Sequence, residues 1–344
     1  MKNFAFRMQR AFAVLASVVV LNVQAAQAQD IHFSQYDHAP VFLSAGQTGL
    51  FSGDYRFAAN YRSQWFSVPV PYSTFAASAE MRLMGDKLEN DVFAVGVLAW
   101  NDKAGDSELS SSQAQISVAY AKQLVKGLFL YGGVYAGGGQ RRFKMDRLQF
   151  DDQYTGDQFD PTRISAEQSV ARNTNLAYFD VGMGLGLRWQ ATARTYVNAG
   201  FSMMHLNTPR QSFMSGEVEL PTRLSLHAAA SVQVAPRADL LLSTQFQQQL
   251  TYRSAMFGAM WRYHLNTNRG RETAVFFGSL FRLGDAVAPI IGLNYQTWQA
   301  ALSYDINLSA FNVATNRHGA VELSLIYILK RLDRSGAAKV CPVL

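Results

Sequence analysis

The stretch that decides the fold spans residues 29–83 and reads QDIHFSQYDHAPVFLSAGQTGLFSGDYRFAANYRSQWFSVPVPYSTFAASAEMRL. From position 54 onward, side chains alternate between two kinds. Tyr55 and Phe57 fall on one face of an extended chain, and Arg56 falls on the other. A period of two is typical of a β-strand. A soluble sheet and a membrane barrel both show this period, so the rest of the chain is needed to distinguish them.

The alternation recurs to the end of the chain in roughly fourteen segments, most of them near the 9 to 11 residues of a tilted membrane strand. In residues 177–190, Phe179 and Leu185 share one face, while Asp180 and Gly184 share the other. Connectors between segments are rich in Gly, Asn, Asp and Pro, and no stretch shows a 3.6-residue apolar period. The pattern excludes a parallel α/β fold and predicts an antiparallel all-β protein.

Three features favour a membrane barrel over a soluble sandwich. The segments are longer than the 5 to 6 residues about which soluble strands centre. An export signal precedes them, as described below. Aromatic residues at segment ends resemble interfacial girdles: Tyr55, Tyr61, Trp100, Trp189, Trp261, Tyr263, Tyr295 and Trp298. We therefore predict a closed transmembrane outer-membrane β-barrel of about 14 strands over residues 54–330, because hydrocarbon does not tolerate an unpaired strand edge.

Connector lengths support the same prediction. If the chain enters the barrel from the periplasm at position 54, long outer loops should alternate with short inner turns. The long connectors expected on the outer side are 141–175, 207–219 and 309–319. The short ones expected on the periplasmic side are 191–194 and 236–237. Two outer connectors, 249–251 and 284–285, are short and leave the strand number open.

The N-terminus has the features of a signal peptide. A basic start precedes an apolar run over residues 11–23, and small residues follow at Ala26 and Ala28. The run is shorter than the ~20 residues of a spanning helix. We predict a signal peptide over residues 1–28, cleaved between Ala28 and Gln29.

Composition limits the partners. Without Lys2, Arg7 and Arg10 of the signal, 28 basic residues face 25 acidic ones, which leaves a charge of only +3. We therefore expect no nucleic-acid partner. The single cysteine, Cys341, cannot form an internal disulfide. It lies in residues 331–344, which we expect to form a periplasmic tail.

Candidate chemistry is sparse. The glycines at 182, 184 and 186 alternate within a strand and open no helix, so they do not form a nucleotide loop. His227 shares a polar face with Ser225 and Ser231, but strand geometry brings such neighbours together by default. We predict no catalytic residue, no cofactor and no metal.

Charged residues on the polar faces should line the lumen. Two interpretations stay open, a structural network of ion pairs and a lining that selects anions. In either, the arginines at 56, 62, 188 and 223 would pair with Asp180 or Asp305. The predicted lumen residues are Arg56, Asp180, Arg188, Arg223, His227 and Asp305.

Residues 29–53 are apolar but do not alternate. Free in solution they would expose too much apolar surface. We expect them to form a plug inside the barrel or to pack against its periplasmic mouth. The residues predicted to contact a partner or to belong to this plug are Phe33, Gln35, Tyr36, Tyr61, Arg62, Gln64 and Trp65.

A series of motifs resembles one family. It begins with FSQY at residues 33–36, TG at 48–49, NYRSQW at 60–65 and Pro71-Tyr72. It continues with WNDKAGDSELS (100–110), VAYAKQL (118–124), LQFDDQY (148–154), LPTRLSL (220–226), SYD (303–305), GAVELSLIY (319–327) and Cys341-Pro342. The order resembles the PorP/SprF family of outer-membrane proteins of the type IX secretion and gliding machinery. Where relatives tend to carry Asn-Pro-Ala before the TG, this chain has Ser44-Ala45-Gly46.

Three hypotheses for function follow. The resemblance implies a non-enzymatic barrel in the bacterial outer membrane, surrounded by its lipid. It would work with type IX secretion components to secrete or retain C-terminal-domain cargo such as adhesins. The second hypothesis is a passive channel, since about fourteen strands leave interior room. The third is a transporter of hydrophobic compounds with residues 29–53 as its plug, against which the inward Arg and Gln residues argue.

Overall fold

The computed structural model describes residues 30–330 except for gaps at 65–71, 85–87, 89, 106–107, 145–147, 161, 164, 167–173, 214–217, 269 and 310–316. Several predictions concern positions outside the described residues. These positions are the signal peptide with its cleavage site at Ala28 and Gln29, Trp65, and the tail 331–344 with Cys341.

Fourteen antiparallel strands close into one barrel, which confirms the predicted fold and strand number. Each strand pairs with its neighbours along the chain, and β1 closes the barrel on β14 through pairs from Tyr55–Leu329 to Gln64–Ala320. The strands are β1 Tyr55–Gln64, β2 Tyr72–Leu83, β3 Val92–Ala104, β4 Leu109–Val125, β5 Leu128–Arg142, β6 Asn175–Gln190, β7 Tyr196–Met204, β8 Arg223–Ala235, β9 Ala238–Gln249, β10 Tyr252–Asn266, β11 Thr273–Arg282, β12 Ala286–Tyr295, β13 Trp298–Asn307 and β14 His318–Leu329.

Burial alternates along the strands as the sequence pattern predicts. Phe57 is 44% exposed on the outer wall, whereas its neighbours Arg56 and Ala58 are buried on the lumen side. A barrel that faces lipid needs apolar side chains on the outside, because hydrocarbon surrounds the wall, whereas polar groups line the interior.

Trp100 corrects one prediction, because it does not belong to an outer aromatic girdle. It occupies an inward position of β3 and is buried in a cluster with Phe33 and Phe42. The physical reason is its parity, since it shares a face with Ala94 and Leu98. Rings at the other predicted girdle positions Tyr61, Trp189, Trp261, Tyr263, Tyr295 and Trp298 are exposed.

The two ends of the barrel differ in their connectors. The long-loop end carries residues 143–174, 205–222 and 308–317, together with the short connectors 65–71, 105–108, 250–251 and 283–285. The short-turn end carries 84–91, 126–127, 191–195, 236–237, 267–272 and 296–297. Each of the seven connectors for which the sequence predicts a side falls on that side.

Residues 30–53, called here the N-terminal segment, precede β1 and lie inside the barrel. They form 3-10 turns at Tyr36–His38 and Ala45–Gln47 and a single α-helical turn at Pro40–Leu43. The segment starts near the long-loop end and reaches β1 at the short-turn end, so it runs the length of the lumen. Within the described part of the chain, no helix combines the length and apolarity needed to cross a membrane.

Candidate functional site: the lumen and its N-terminal segment

The N-terminal segment is shaped by a few local signals. Pro40 stands at the first position of the helical turn, where its missing N–H is not needed. Gly49 has a φ of 82°, and an added Cβ would lie 2.3 Å from Cβ of Ala94. A glycine is therefore required where the segment turns against β3. The result is a compact chain that fits inside a barrel of fourteen strands.

A buried charge cluster holds the beginning of the segment. Arg62 of β1 donates to Asp305 at 2.8 Å and to Glu322 at 3.0 Å. Arg282 of β11 donates to Asp305 at 3.0 Å. The hydroxyl of Ser34 lies 2.8 Å from Nη1 of Arg62 and 3.0 Å from Asp305. Because buried charges need partners, this cluster ties the segment to the strands on either side of the β1–β14 closure.

The next residues bond mainly to β14. The backbone N–H groups of Ser34 and Gln35 donate to the two carboxylate oxygens of Glu322, both at 2.8 Å. The Gln35 amide donates to Ser303 Oγ at 2.8 Å. His38 Nδ1 lies 2.7 Å from Ser324 Oγ. The wall thus satisfies polar groups that the irregular segment cannot satisfy itself.

Asp30 is fixed at the long-loop end. Its Oδ2 accepts from Arg223 Nη1 at 2.9 Å and lies 2.8 Å from His205 Nε2. The other ring nitrogen of His205 lies 3.0 Å from Asp180, which also accepts from the Tyr135 hydroxyl at 2.9 Å. Burial opposes a charge on His205, but the hydrogen bonds to Asp180 and Asp30 outweigh it and raise its pKa to about 9. At neutral pH the ring is therefore a cation between two carboxylates.

A second carboxylate anchors the segment at the short-turn end. Glu80 of β2 accepts from Arg56 in a bidentate manner, at 2.6 and 2.8 Å, and from the N–H of Gly49 at 2.9 Å. Arg82 donates to the Gly49 carbonyl at 2.8 Å. The guanidinium groups of Arg56 and Arg82 lie over the ring of Phe51, at 4.7 and 5.2 Å from its centre.

Close backbone packing fills the middle of the lumen. An added Cβ at Gly184 would lie 2.0 Å from the Ser44 hydroxyl, and one at Gly133 would lie 2.6 Å from the Ala45 carbonyl. Gly184 on the inward face of β6 and Gly133 on the inward face of β5 thus make room for the 3-10 turn at Ala45–Gln47. A remaining cavity beside Asp30 has a volume of ≈ 10 Å³, enough for about one water molecule.

One side of the lumen is apolar, which the sequence did not suggest. The inward faces of β9 to β13 carry a buried cluster against which the segment packs, with His38 edge-on to Phe276 at 5.9 Å. The inward Arg and Gln residues that count against a transporter of hydrophobic compounds therefore line only part of the wall. The cluster consists of Leu241, Met260, Phe276, Leu280, Ala288, Ile290 and Ala301.

The predicted plug and partner residues that the structure describes lie in four different places. Phe33, Gln35 and Tyr36 are buried within the N-terminal segment. Arg62 points into the lumen and bonds the segment. Tyr61 points outward and is 44% exposed, away from the segment, whereas Gln64 ends β1 at the long-loop end.

The six predicted lumen residues all point inward. Of the predicted pairs with Asp180 or Asp305, that of Arg62 with Asp305 forms, whereas Arg56 and Arg223 bond other carboxylates and Arg188 bonds an amide. Arg188 donates to Oε1 of Gln190 at 3.1 and 2.9 Å, whereas Asp180 bonds His205 and Asp305 bonds Arg62. The partners are 2 positions apart for Arg188 and Gln190, 25 for Asp180 and His205, and 243 for Arg62 and Asp305, so no single spacing identifies them. His227 lies 3.4 Å from the Tyr131 hydroxyl.

Several site residues escaped the sequence analysis. Five of them, Glu80, Arg82, Asp239, Arg282 and Glu322, are charged side chains on the inward faces of strands. That pattern could have identified them from the sequence. His205, in a connector, and Asp30, in the segment, carry no such signal.

Comparison with known families identifies the chain. The model of the family described as type IX secretion system membrane protein PorP/SprF matches residues 25–327. The chain belongs to the PorP/SprF family. Family and barrel together place this PorP/SprF protein in the bacterial outer membrane and in the type IX secretion system. Since outer-membrane barrels turn their long loops outward, the long-loop end faces the exterior and the short-turn end faces the periplasm.

Solved structures share the architecture. The toluene transporter TbuX of Ralstonia pickettii aligns with a TM-score of 0.52 and 12% identity, over 84% of this chain and 92% of TbuX. The toluene transporter TodX of P. putida aligns with a TM-score of 0.50 and 10% identity, over 86% of this chain and 95% of TodX. At such identities the likeness shows the fold alone. No curated protein matches this PorP/SprF chain significantly.

Proposed function

We propose that this protein is a non-enzymatic component of the type IX secretion and gliding machinery. In this proposal, it assists the secretion or surface attachment of C-terminal-domain cargo such as adhesins through protein–protein contacts. The family match over residues 25–327 is the observation that carries the proposal. Outer-membrane lipid, type IX components and cargo are its proposed partners.

The filled lumen supports a role in recognition rather than conduction. The N-terminal segment is held at one end by the Asp30–Arg223 ion pair and at the other by the hydrogen bond from the N–H of Gly49 to Glu80. A small solute would therefore meet a fixed segment, whereas a protein partner needs only the surfaces at the two ends. Residues 143–174, the longest connector, offer the larger such surface outside the cell.

The experiment is deletion of the gene, followed by two measurements on the same cells. Protease accessibility of cargo with a type IX sorting domain reports its arrival at the surface, and uptake of a small labelled solute reports transport. We expect the cargo signal to fall and solute uptake to stay unchanged, with the cargo signal restored by the wild-type gene. Normal surface delivery of such cargo would refute the proposal.

A second candidate function has one observation in its favour. The apolar cluster on β9 to β13 would suit a hydrophobic compound if the segment moved away. Toluene uptake in the same deletion strain tests it. A loss of toluene uptake with normal cargo delivery would favour this alternative, and the reverse would exclude it.

A further inference from the structure

Two lumen arginines at the short-turn end, Arg82 and Arg188, differ from the other arginines of the lumen in the groups that they bond. Arg56, Arg62, Arg223 and Arg282 each bond a carboxylate within 3.0 Å. Arg194 and Arg262, which lie at the short-turn end, share the carboxylate of Asp239, at 2.5 and 3.6 Å. Among the described residues, no carboxylate lies within 4.0 Å of Arg82 or Arg188. Interior charges are usually paired, so two unpaired guanidinium groups require an explanation.

Arg82 is held in place but left unsatisfied. Its Nε donates to the Gly49 carbonyl at 2.8 Å, and its plane lies over the Phe51 ring. Its Nη2 is buried and, among the residues that the structure describes, has no hydrogen-bond partner. Glu80, the nearest buried carboxylate on its own strand, is already occupied by Arg56 and the N–H of Gly49. One donor of a fixed guanidinium therefore faces the lumen without an acceptor.

Arg188 is arranged in a similar way on β6. Its guanidinium stacks on the Tyr196 ring at 4.5 Å and, within the described part of the chain, donates only to the neutral amide oxygen of Gln190. Arg82 and Arg188 lie one and two residues before the short-turn ends of β2 and β6, and the guanidinium groups of Arg82 and Arg56 lie over the same Phe51 ring. The carboxylate of Glu80, which bonds Arg56, offsets this charge in part. Positive charge therefore exceeds negative charge locally. Both Arg82 and Arg188 keep part of their side chain accessible.

We propose that Arg82 and Arg188 form a binding site for an oxyanion, a carboxylate or a phosphate, that enters the lumen from the periplasm. Stacking on an aromatic ring fixes the plane of a guanidinium, and the remaining N–H groups then match the oxygens of a carboxylate or phosphate. The same chemistry fits a free anion and an acidic side chain of a periplasmic peptide. The site lies opposite the exterior loops, so it is separate from the proposed cargo surface.

The test is isothermal titration of the full, detergent-solubilised barrel at low ionic strength. Inorganic phosphate and succinate serve as free anions, and a short acetylated Asp-Glu peptide serves as the peptide source. We expect the wild type to bind, and Arg82→Gln and Arg188→Gln each to weaken binding at least tenfold. A peptide that binds tighter than succinate identifies a peptide carboxylate, and equal affinities identify a free anion.

Controls separate binding from folding. Arg253→Gln removes an exposed arginine near the long-loop end and should bind like the wild type. Arg82→Lys and Arg188→Lys keep the charge but lose the planar fork, and we expect a smaller loss than in the glutamine variants. Heat-modifiable migration on gels checks that each variant forms the barrel. The proposal is overturned if the wild type binds none of the probes at millimolar concentration, or if folded Arg82→Gln and Arg188→Gln bind as it does.

Discussion

Oδ2 of Asp30 lies 2.8 Å from Nε2 of His205, and the other nitrogen of that ring lies 3.0 Å from Asp180. Asp30 belongs to a segment joined covalently to the barrel only at the opposite end. His205 is thus one of the contacts that fix the exterior end of this segment.

The first prediction concerns pH. The pKa of His205 is raised to about 9 from an ordinary 6.5, so its contribution to holding Asp30 is complete below pH 6.5 and lost as pH rises through 9. Hydrogen–deuterium exchange of residues 30–35, corrected for intrinsic rates, should show protection falling between pH 7 and 10. His205→Gln should abolish this dependence, and His318→Gln at the same end should keep it. Constant protection of the wild type across that range would contradict the prediction.

The second prediction concerns the buried charge cluster. Arg62→Gln leaves Asp305 and Glu322, 1% and 0% exposed at their side chains, without one shared cation. Breaking a buried pair typically costs about 3–5 kcal/mol. We expect a loss of that order in urea unfolding from lipid vesicles, together with faster exchange of residues 33–36.

Arg253→Gln, which removes an exposed arginine, is the matched control for this loss and should stay within about 0.5 kcal/mol of the wild type. If Arg62→Gln unfolds at the wild-type urea concentration, the cluster does not stabilise the barrel as described.

The third prediction concerns the tight packing at Gly184. A valine there would place its Cβ 2.0 Å from the hydroxyl of Ser44, so the turn at Ala45–Gln47 has to move. We expect Gly184→Val to form the barrel but to lose exchange protection over residues 44–48. Gly138→Val on the outward face of β5, where an added Cβ would lie 4.0 Å from the carbonyl oxygen of Tyr178, should leave that protection unchanged. Equal exchange in both variants would argue against close packing at this point.

The fourth prediction concerns conductance. Because the segment fills the lumen, the wild type should be almost silent in planar bilayers, and deletion of residues 29–53 should produce stepwise currents. Phe277→Ala, which changes only the lipid-facing wall, should remain silent. A wild type that conducts as well as the deletion variant would show that ions pass beside the segment.

The wall of the barrel was predictable because strand alternation is local. Phe57 and Arg56 reveal their sides of β1 from two adjacent letters, and fourteen such segments closed as expected. Trp100 was assigned to the wrong side because its place at a segment end outweighed its parity with Ala94 and Leu98.

The interior was not predictable to the same degree. Ser34 meets Asp305 across 271 positions and Glu322 across 288, and such contacts depend on how the closed barrel brings β13 and β14 against the segment. An irregular chain has no period from which its path can be read. For Arg188, strand alternation predicts that the side chain points inward, but it does not identify Gln190 as the hydrogen-bond partner.

The path of residues 30–53 has a consequence for biogenesis. The chain enters the lumen near its exterior end and leaves it at Gly53, beside Leu329 of the final strand. Once β1 and β14 have paired, the segment can reach its place only by threading through a finished cylinder. A simpler order of events is that the segment first lies against the growing sheet. Glu322 of the last strand then bonds Ser34 and Gln35 as the barrel closes. The N-terminal segment would then be a template on which the barrel is completed.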